Sequence, residues 1–249
     1  MNRHFIVVIV MLGTSMTCHA QESPYFVTYD HHLEEPGNLE VETSATSGIP
    51  RAGQRFYIAP YSELEYGVTA QWTSELYLES DSAWGDSTVF TGWRFENRYK
   101  PLKREHWINP VLYLEYEDVN EASRIQKEIE GGGPDLGSSH RELVGERAHE
   151  LETKLILSSD YHDWNISENF IVGAEMYGGL GSTLGFGIHN TAHYFAPVVS
   201  WAVTDNSSLR FSTGFGLTTE SNPLLLRFGY SYEIQGFGSR MAKLFGRKP

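Results

Sequence analysis

The chain has 249 residues, a formal net charge of -13 and one cysteine. An acidic chain with a single thiol is excluded from a disulfide framework, and it lacks the basic face that nucleic-acid binding needs. Tyrosine and glycine are plentiful, at 14 and 24 residues, and no shift in composition marks a second domain.

The N-terminus reads as an export signal. Arg3 gives a positive start, Phe5 to Met11 form an apolar run, and Cys18-His19-Ala20 places small residues at a cleavage site. The run is too short to cross a bilayer as a helix, which takes about 20 residues. The expected cut lies near Ala20/Gln21. Lipidation at Cys18 is the competing reading, although Ser15-Met16-Thr17 lacks the usual aliphatic residue. Cleavage removes the cysteine and Arg3 but no acid, so -13 becomes -14. The expected division is signal peptide 1–20, lead-in 21–37, barrel 38–234 and tail 235–249.

After Pro36-Gly37 the chain alternates with period two in segments of about ten residues, the signal of β-strands. Strands are predicted at 38–47, 55–68, 72–80, 87–99, 107–117, 149–160, 164–177, 191–203, 207–219 and 224–234. Residues 25–32 could add a strand or form a lead-in. Helical spacing occurs only over 119–130, where Ile125 and Ile129 stand four apart before Gly131-Gly132-Gly133. Thr69-Ala70-Gln71, Tyr161-His162-Asp163 and Thr204 to Ser207 are tight connections, whereas 118–148 is very long. Short turns at one end and long loops at the other are the pattern of an outer-membrane barrel.

Parity sorts the side chains. One face carries Leu64, Tyr66, Leu76, Leu78, Val89, Trp93, Phe95, Leu112, Leu114, Leu155, Phe195, Phe211 and Phe228. The other carries Glu63, Glu65, Glu75, Arg94, Glu96, Arg98, Glu115, Glu117, Glu150, Glu152, Lys154, Glu175, Arg210, Arg227 and Glu233. Aromatic residues gather towards strand ends, as in the girdles of a lipid-facing barrel. The expected fold is therefore all-β: a transmembrane antiparallel barrel of ten strands, possibly twelve, with an apolar outside and these fifteen residues lining the lumen. Arg94 and Arg98 are expected opposite the glutamates of the neighbouring strand, where opposite charges attract. A secreted soluble barrel or sandwich alternates alike and is the competing fold.

The stretches "ELEYGVTAQWTSELYLE", "TGWRFENRYKPL", "INPVLYLEYED", "HELETKLILSSDYHDWNIS" and "YFAPVVSWAVTDNSSLRFSTGFGLTTESNPLLLRFGYSYEI" resemble the outer-membrane β-barrel family named for a meta-pathway of phenol degradation. The resemblance spans roughly residues 25 to 234. It implies a barrel in the outer membrane that passes small or aromatic solutes. Members have a further hairpin after the strand holding "DWNIS"; here Phe170 to Met176 follows at once, and Glu168 shares a face with Phe170. A bulge, or two short strands in place of one, would explain this, and it leaves ten or twelve strands open.

The expectation is no enzyme, with a rim-site enzyme or a secreted soluble binding barrel as the second alternative. His189 and His193 stand four apart near a rim, but His193 has the outward parity of Phe195, which is wrong for a lumen base. "HHLEE" lacks metal-ligand spacing, and "GGLGSTLGFG" is no dinucleotide fingerprint. The expectation is no catalytic, metal or cofactor site. The partners expected are outer-membrane lipid, the barrel-insertion machinery and a small solute. The acids serve either a cation-preferring passage or a lining of structural ion pairs, the latter giving a non-conducting structural or sensing barrel.

Overall fold

A computed structural model of the chain describes residues 25–246 apart from 52, 126–127, 129–136, 159–164, 168, 180, 183–184 and 187–190. The predicted signal 1–20, the turn 161–163, Glu168, His189 and Gly131 to Pro134 lie outside the described residues.

The elements in chain order are β1 (Leu39–Ile49), β2 (Tyr57–Thr69), β3 (Trp72–Ala83), β4 (Thr88–Tyr99), β5 (Asn109–Asn120), α1 (His140–Leu143) and β6 (Arg147–Ser158). They continue with β7 (Asn165–Ser167), β8 (Phe170–Gly178), β9 (Gly181–Ser182), β10 (Gly185–Phe186), β11 (His193–Thr204), β12 (Ser207–Gly216), β13 (Leu224–Ile234) and α2 (Phe237–Leu244). The main sheet is antiparallel, in the order β6-β5-β4-β3-β2-β1-β13-β12-β11-β8-β7. β9 and β10 form a separate small hairpin. The first and last long strands are neighbours, with Leu39 opposite Ile234 and Ile49 opposite Leu224.

The fold is all-β, as the period-two pattern predicts. Among the described residues ten strands have nine residues or more, and β7 adds three. The predicted strand 164–177 divides into β7 and β8, with Ser167 opposite Phe170. Two shorter strands occur, and their pairing also carries a register shift between Asn165 and Ser167.

Face assignment fails at one place. The β3–β4 register shifts between Glu79, opposite Gly92, and Ser80, opposite Phe90. The extra residue, Thr91, is buried. This bulge re-phases the start of β4, so Phe90 rather than Val89 is the exposed apolar side chain there. A bulge cannot be read from alternation, because the residues on each side of it alternate normally.

The two-residue turns 70–71 and 205–206 fall at one end of the sheet, as do the start of β1 and the end of β13, while the four-residue turn 84–87 lies at the other end. The opposite end carries the long connections 121–146, 179–192 and 217–223. The sheet rolls around residues 25–35, which form neither strand nor helix. This segment touches strands from nearly all round the sheet. Tyr29 donates to Glu96 on β4 at 3.0 Å, His31 lies 2.6 Å from Ser158 on β6, and Arg210 on β12 donates to the Tyr25 carbonyl at 2.9 Å. Among the described residues no ladder joins the edge strand β6 to β7 or β8. The outward leucines of β6 are accordingly more exposed than their counterparts elsewhere: Leu151 is 68% exposed against 46% for Leu114 on β5.

Candidate functional site: the filled lumen

Register places the acids in a row. Glu233, Glu40, Glu65, Glu75, Glu96, Glu115 and Glu152 face one another directly across β13, β1, β2, β3, β4, β5 and β6. Like charges directly opposed in a ladder repel. This corrects the expected opposition to the glutamates of β3: there Arg98 is opposite Thr73 and Arg94 opposite Tyr77, and it is on β5 that Arg94 stands opposite an acid, Glu117. The arginines lie one inward position away from the row, and their long side chains reach it diagonally.

Arg98 serves three acids. Its Nε donates to Glu75 at 2.6 Å, its Nη2 to Glu65 at 2.7 Å, and its Nε lies 3.3 Å from Glu96. Arg94 pairs with Glu79 and, at 3.3 Å, with Glu115. Lys154 pairs with Glu152 at 2.7 Å and lies over the Tyr113 ring at 4.3 Å. On the far wall Arg210 pairs with Glu42. Planar guanidinium forks suit this bridging of carboxylates better than ammonium groups do.

The predicted lining residues are therefore distributed as follows. Glu63, Glu75, Glu96, Arg98, Glu115, Glu175, Arg210, Arg227 and Glu233 are buried. Glu65, Arg94, Glu117, Glu152 and Lys154 are half-buried on the same face. Glu150 is exposed and forms no part of the packed lining, because its strand is the sheet edge.

The lumen is filled from the turn end by the lead-in. Three successive backbone N–H groups converge on Glu175: Phe26 donates at 3.1 Å, Val27 at 2.9 Å and Thr28 at 2.8 Å, and the Thr28 hydroxyl at 3.2 Å. The Tyr29 ring packs on Tyr113 at 5.3 Å and under the Arg98 guanidinium at 5.2 Å. His31 is fully buried, with Nε2 2.6 Å from Glu105. Glycines make room for the segment. A Cβ on Gly67 would come 2.0 Å from the Glu35 carbonyl, and one on Gly229 would come 3.1 Å from the Phe26 ring.

The loop end is closed by other means. Tyr57, Ala59, Ala83, Ala192, Tyr194 and Leu225 form a buried apolar cluster inside the sheet, with Ile125 and Tyr177 against it. From the 121–146 connection, Ser123 donates to Glu79 at 3.0 Å, Arg124 lies 3.5 Å from Asp81, and Glu128 pairs with Arg227. Glu128 also accepts from the Tyr177 hydroxyl at 2.6 Å. Arg124, Ile125 and Glu128 are helical, so the predicted helix exists in part. It turns inward.

Sequence reasoning missed this second layer because alternation separates the two faces of a strand without telling where along the inward face polar residues give way to apolar ones, as at Tyr57 and Ala59 on β2, Tyr194, Ala196 and Val198 on β11, and Leu225 on β13. It also missed His140. That ring is buried, 2.7 Å from Asp81, and its backbone N–H donates to Asp86 at 2.9 Å. His193 is half-buried, 3.1 Å from Thr191.

Asp86 gives the long loop a pH-dependent anchor. The His140 N–H holds its carboxyl below the ordinary value; slight burial opposes this, and the Ser87 N–H adds to it. A lowered folded-state pKa means the stabilisation is complete above the unfolded value of 3.8 and is lost as pH falls through the folded one. Amides of 140–144 are expected to keep their hydrogen-exchange protection from pH 7 to 5 and lose it below about 3.8, with Asp86→Ala losing it already at pH 7. Equal protection in both proteins at pH 7 would remove Asp86 from this role.

No family model and no curated protein sequence matches the chain. Among solved structures, an outer membrane channel from Pseudomonas putida F1 is 11% identical; the match covers 84% of this chain and 100% of that one, at a TM-score of 0.43. The N-terminal β-barrel domain of Pseudomonas aeruginosa OprF is 9% identical, covering 81% and 100%, at 0.29. The outer membrane protein OprG of the same species is 8% identical, covering 82% and 99%, at 0.24.

Proposed function

We propose that this chain is an outer-membrane β-barrel, exported by a cleaved signal peptide, whose lumen takes up or binds a small solute and is closed at rest by its own segments. One observation carries the membrane reading: the molecule is inside-out. Glu75, Glu96 and Glu115 are at most 1% exposed, while Phe211, Phe215 and Phe228 on the other face are at least 44% exposed. Water would reverse that arrangement, whereas lipid favours it. Lipid, the barrel-insertion machinery and an unidentified solute are the partners this implies. The proposed role is non-enzymatic: Glu65, Glu75, Glu96, Glu115 and Glu152 in the acid row are bridged by Arg98, Arg94 and Lys154, as in a structural lining.

The closed state has two barriers in series, the 25–35 segment and the Glu128–Arg227 layer. The full chain, refolded into a planar bilayer, is expected to be nearly silent. A chain lacking residues 21–35 and carrying Glu128→Ala is expected to give steady conductance steps. Steady steps from the full chain would overturn the resting closure. Silence from the folded, doubly altered chain would establish the second reading, a structural barrel with no pore. The packing of both lumen ends favours that reading as a specific rival.

A further inference from the structure

Beside the lead-in lies a cavity of about 270 Å³. Its lining holds eight glutamates but only three permanent cations, Arg98, Lys100 and Arg210. The glutamates come from both walls: Glu34 and Glu35 belong to the lead-in, and Glu40, Glu42, Glu63, Glu65, Glu75 and Glu233 to the strands. Buried carboxylates are tolerated when paired, and this lining has more acids than its cations can pair.

Glu63 is the clearest case. It is only 9% exposed, yet among the described residues no hydrogen bond or ion pair reaches its carboxylate. Its neighbours are already served: Glu42 by Arg210, and Glu65 and Glu75 by Arg98. One carboxylate oxygen from each of Glu63, Glu65 and Glu75 falls within 4.8 Å of the others. Ca²⁺ binds oxygens at about 2.3–2.6 Å, so ligands on opposite sides of the ion stand roughly 5 Å apart.

We propose that this cavity binds one hard divalent cation of the Ca²⁺ class, with Glu63, Glu65 and Glu75 as its protein ligands. Water in the cavity completes the coordination. The ion neutralises Glu63, shares Glu65 and Glu75 with Arg98, and cross-links β2 to β3. The site rests on the register of the acids and not on the lumen being a passage, so it stands whether or not the barrel conducts.

The test uses the full chain refolded in calcium-free detergent, with heat-modifiable gel mobility as the check on folding. Titration of wild type with Ca²⁺ alone in a calorimeter is expected to show one saturable site. Glu63→Gln is expected to weaken it about tenfold or more, since Ca²⁺ affinity follows ligand charge. Glu117→Gln, outside this cavity, is expected to leave it unchanged. If E63Q fails to refold, Tb³⁺ decides. The Tyr77 hydroxyl donates to Glu75 at 2.6 Å, so its ring should sensitise Tb³⁺ emission that Ca²⁺ quenches, and Tyr77→Phe should lose most of that emission. Absence of saturable Ca²⁺ binding by folded wild type overturns the proposal. So does folded E63Q that binds as wild type does, or Tb³⁺ emission unaltered in Y77F.

Discussion

Glu175→Ala is expected to release the lead-in from the lumen while leaving the sheet intact. In the native chain one carboxylate accepts from three consecutive amides, Phe26, Val27 and Thr28, at 2.8–3.1 Å. This is an anion held in a backbone nest, and the hydrogen bonds are charge-assisted. Alanine leaves those N–H groups without an acceptor inside the sheet. At the low end of about 1 kcal/mol per orphaned donor, three donors cost roughly 3 kcal/mol, or about a hundredfold in the seating equilibrium. Amide exchange at 26–28 is therefore expected to quicken by about that factor, and an added protease should cut within 25–35. Glu175→Gln keeps one acceptor oxygen and loses the charge, so it should fall between. The strands should not respond: Glu175 contributes no ladder bond through its side chain, and β8 pairs with β11 through backbone groups. Unchanged exchange at 26–28 in the alanine variant would show that the ring contacts of Tyr29 seat the segment unaided.

The contrast between this segment and the strands explains how far the sequence could be read. A strand announces itself through a two-residue period because one face meets water or packed charge and the other meets a different medium. Leu64, Leu76, Phe95 and Leu114 alternate with Glu63, Glu75, Glu96 and Glu115, and the sorting holds in the structure wherever the ladder is regular. It fails at Thr91, where a bulge shifts the phase. Register was less accessible, since parity tells which face a glutamate occupies and not which residue it meets. Hence the row from Glu233 to Glu152 was invisible, and arginines were expected where acids stand. The 25–35 segment has no period at all. It is seated by backbone N–H groups on one distant carboxylate, and backbone groups leave no mark in a sequence. The one available sign was compositional: Tyr25, Phe26 and Tyr29 are bulky rings in a stretch otherwise read as a lead-in, and Gly67 and Gly229 are small residues where strands usually carry side chains. Neither says what meets what.

The acid row also fixes where the sheet is most vulnerable. Arg98→Met removes the cation that Glu65, Glu75 and Glu96 share, while preserving much of the side-chain volume. The Arg98 side chain is only 5% exposed, and those of Glu75 and Glu96 are 1% and 0% exposed. Breaking a buried ion pair by removing one partner costs about 3–5 kcal/mol, because the remaining charge is left uncompensated. Here three carboxylates are left, and they make two direct oppositions that share Glu75, Glu65 to Glu75 and Glu75 to Glu96. The expected result is a loss of about 3–5 kcal/mol in urea unfolding of the detergent-refolded chain. Adding Glu75→Gln to Arg98→Met should restore part of that loss, since glutamine at the central position removes both direct repulsions. Arg98 and Glu75 are in contact, so their effects should be non-additive by about 1 kcal/mol or more. If Arg98→Met unfolds at the wild-type urea midpoint, the row is already neutralised by other means, and Arg98 is a passive filler of the lumen. If the double variant is less stable than Arg98→Met alone, the repulsion between the three acids is not what the arginine relieves.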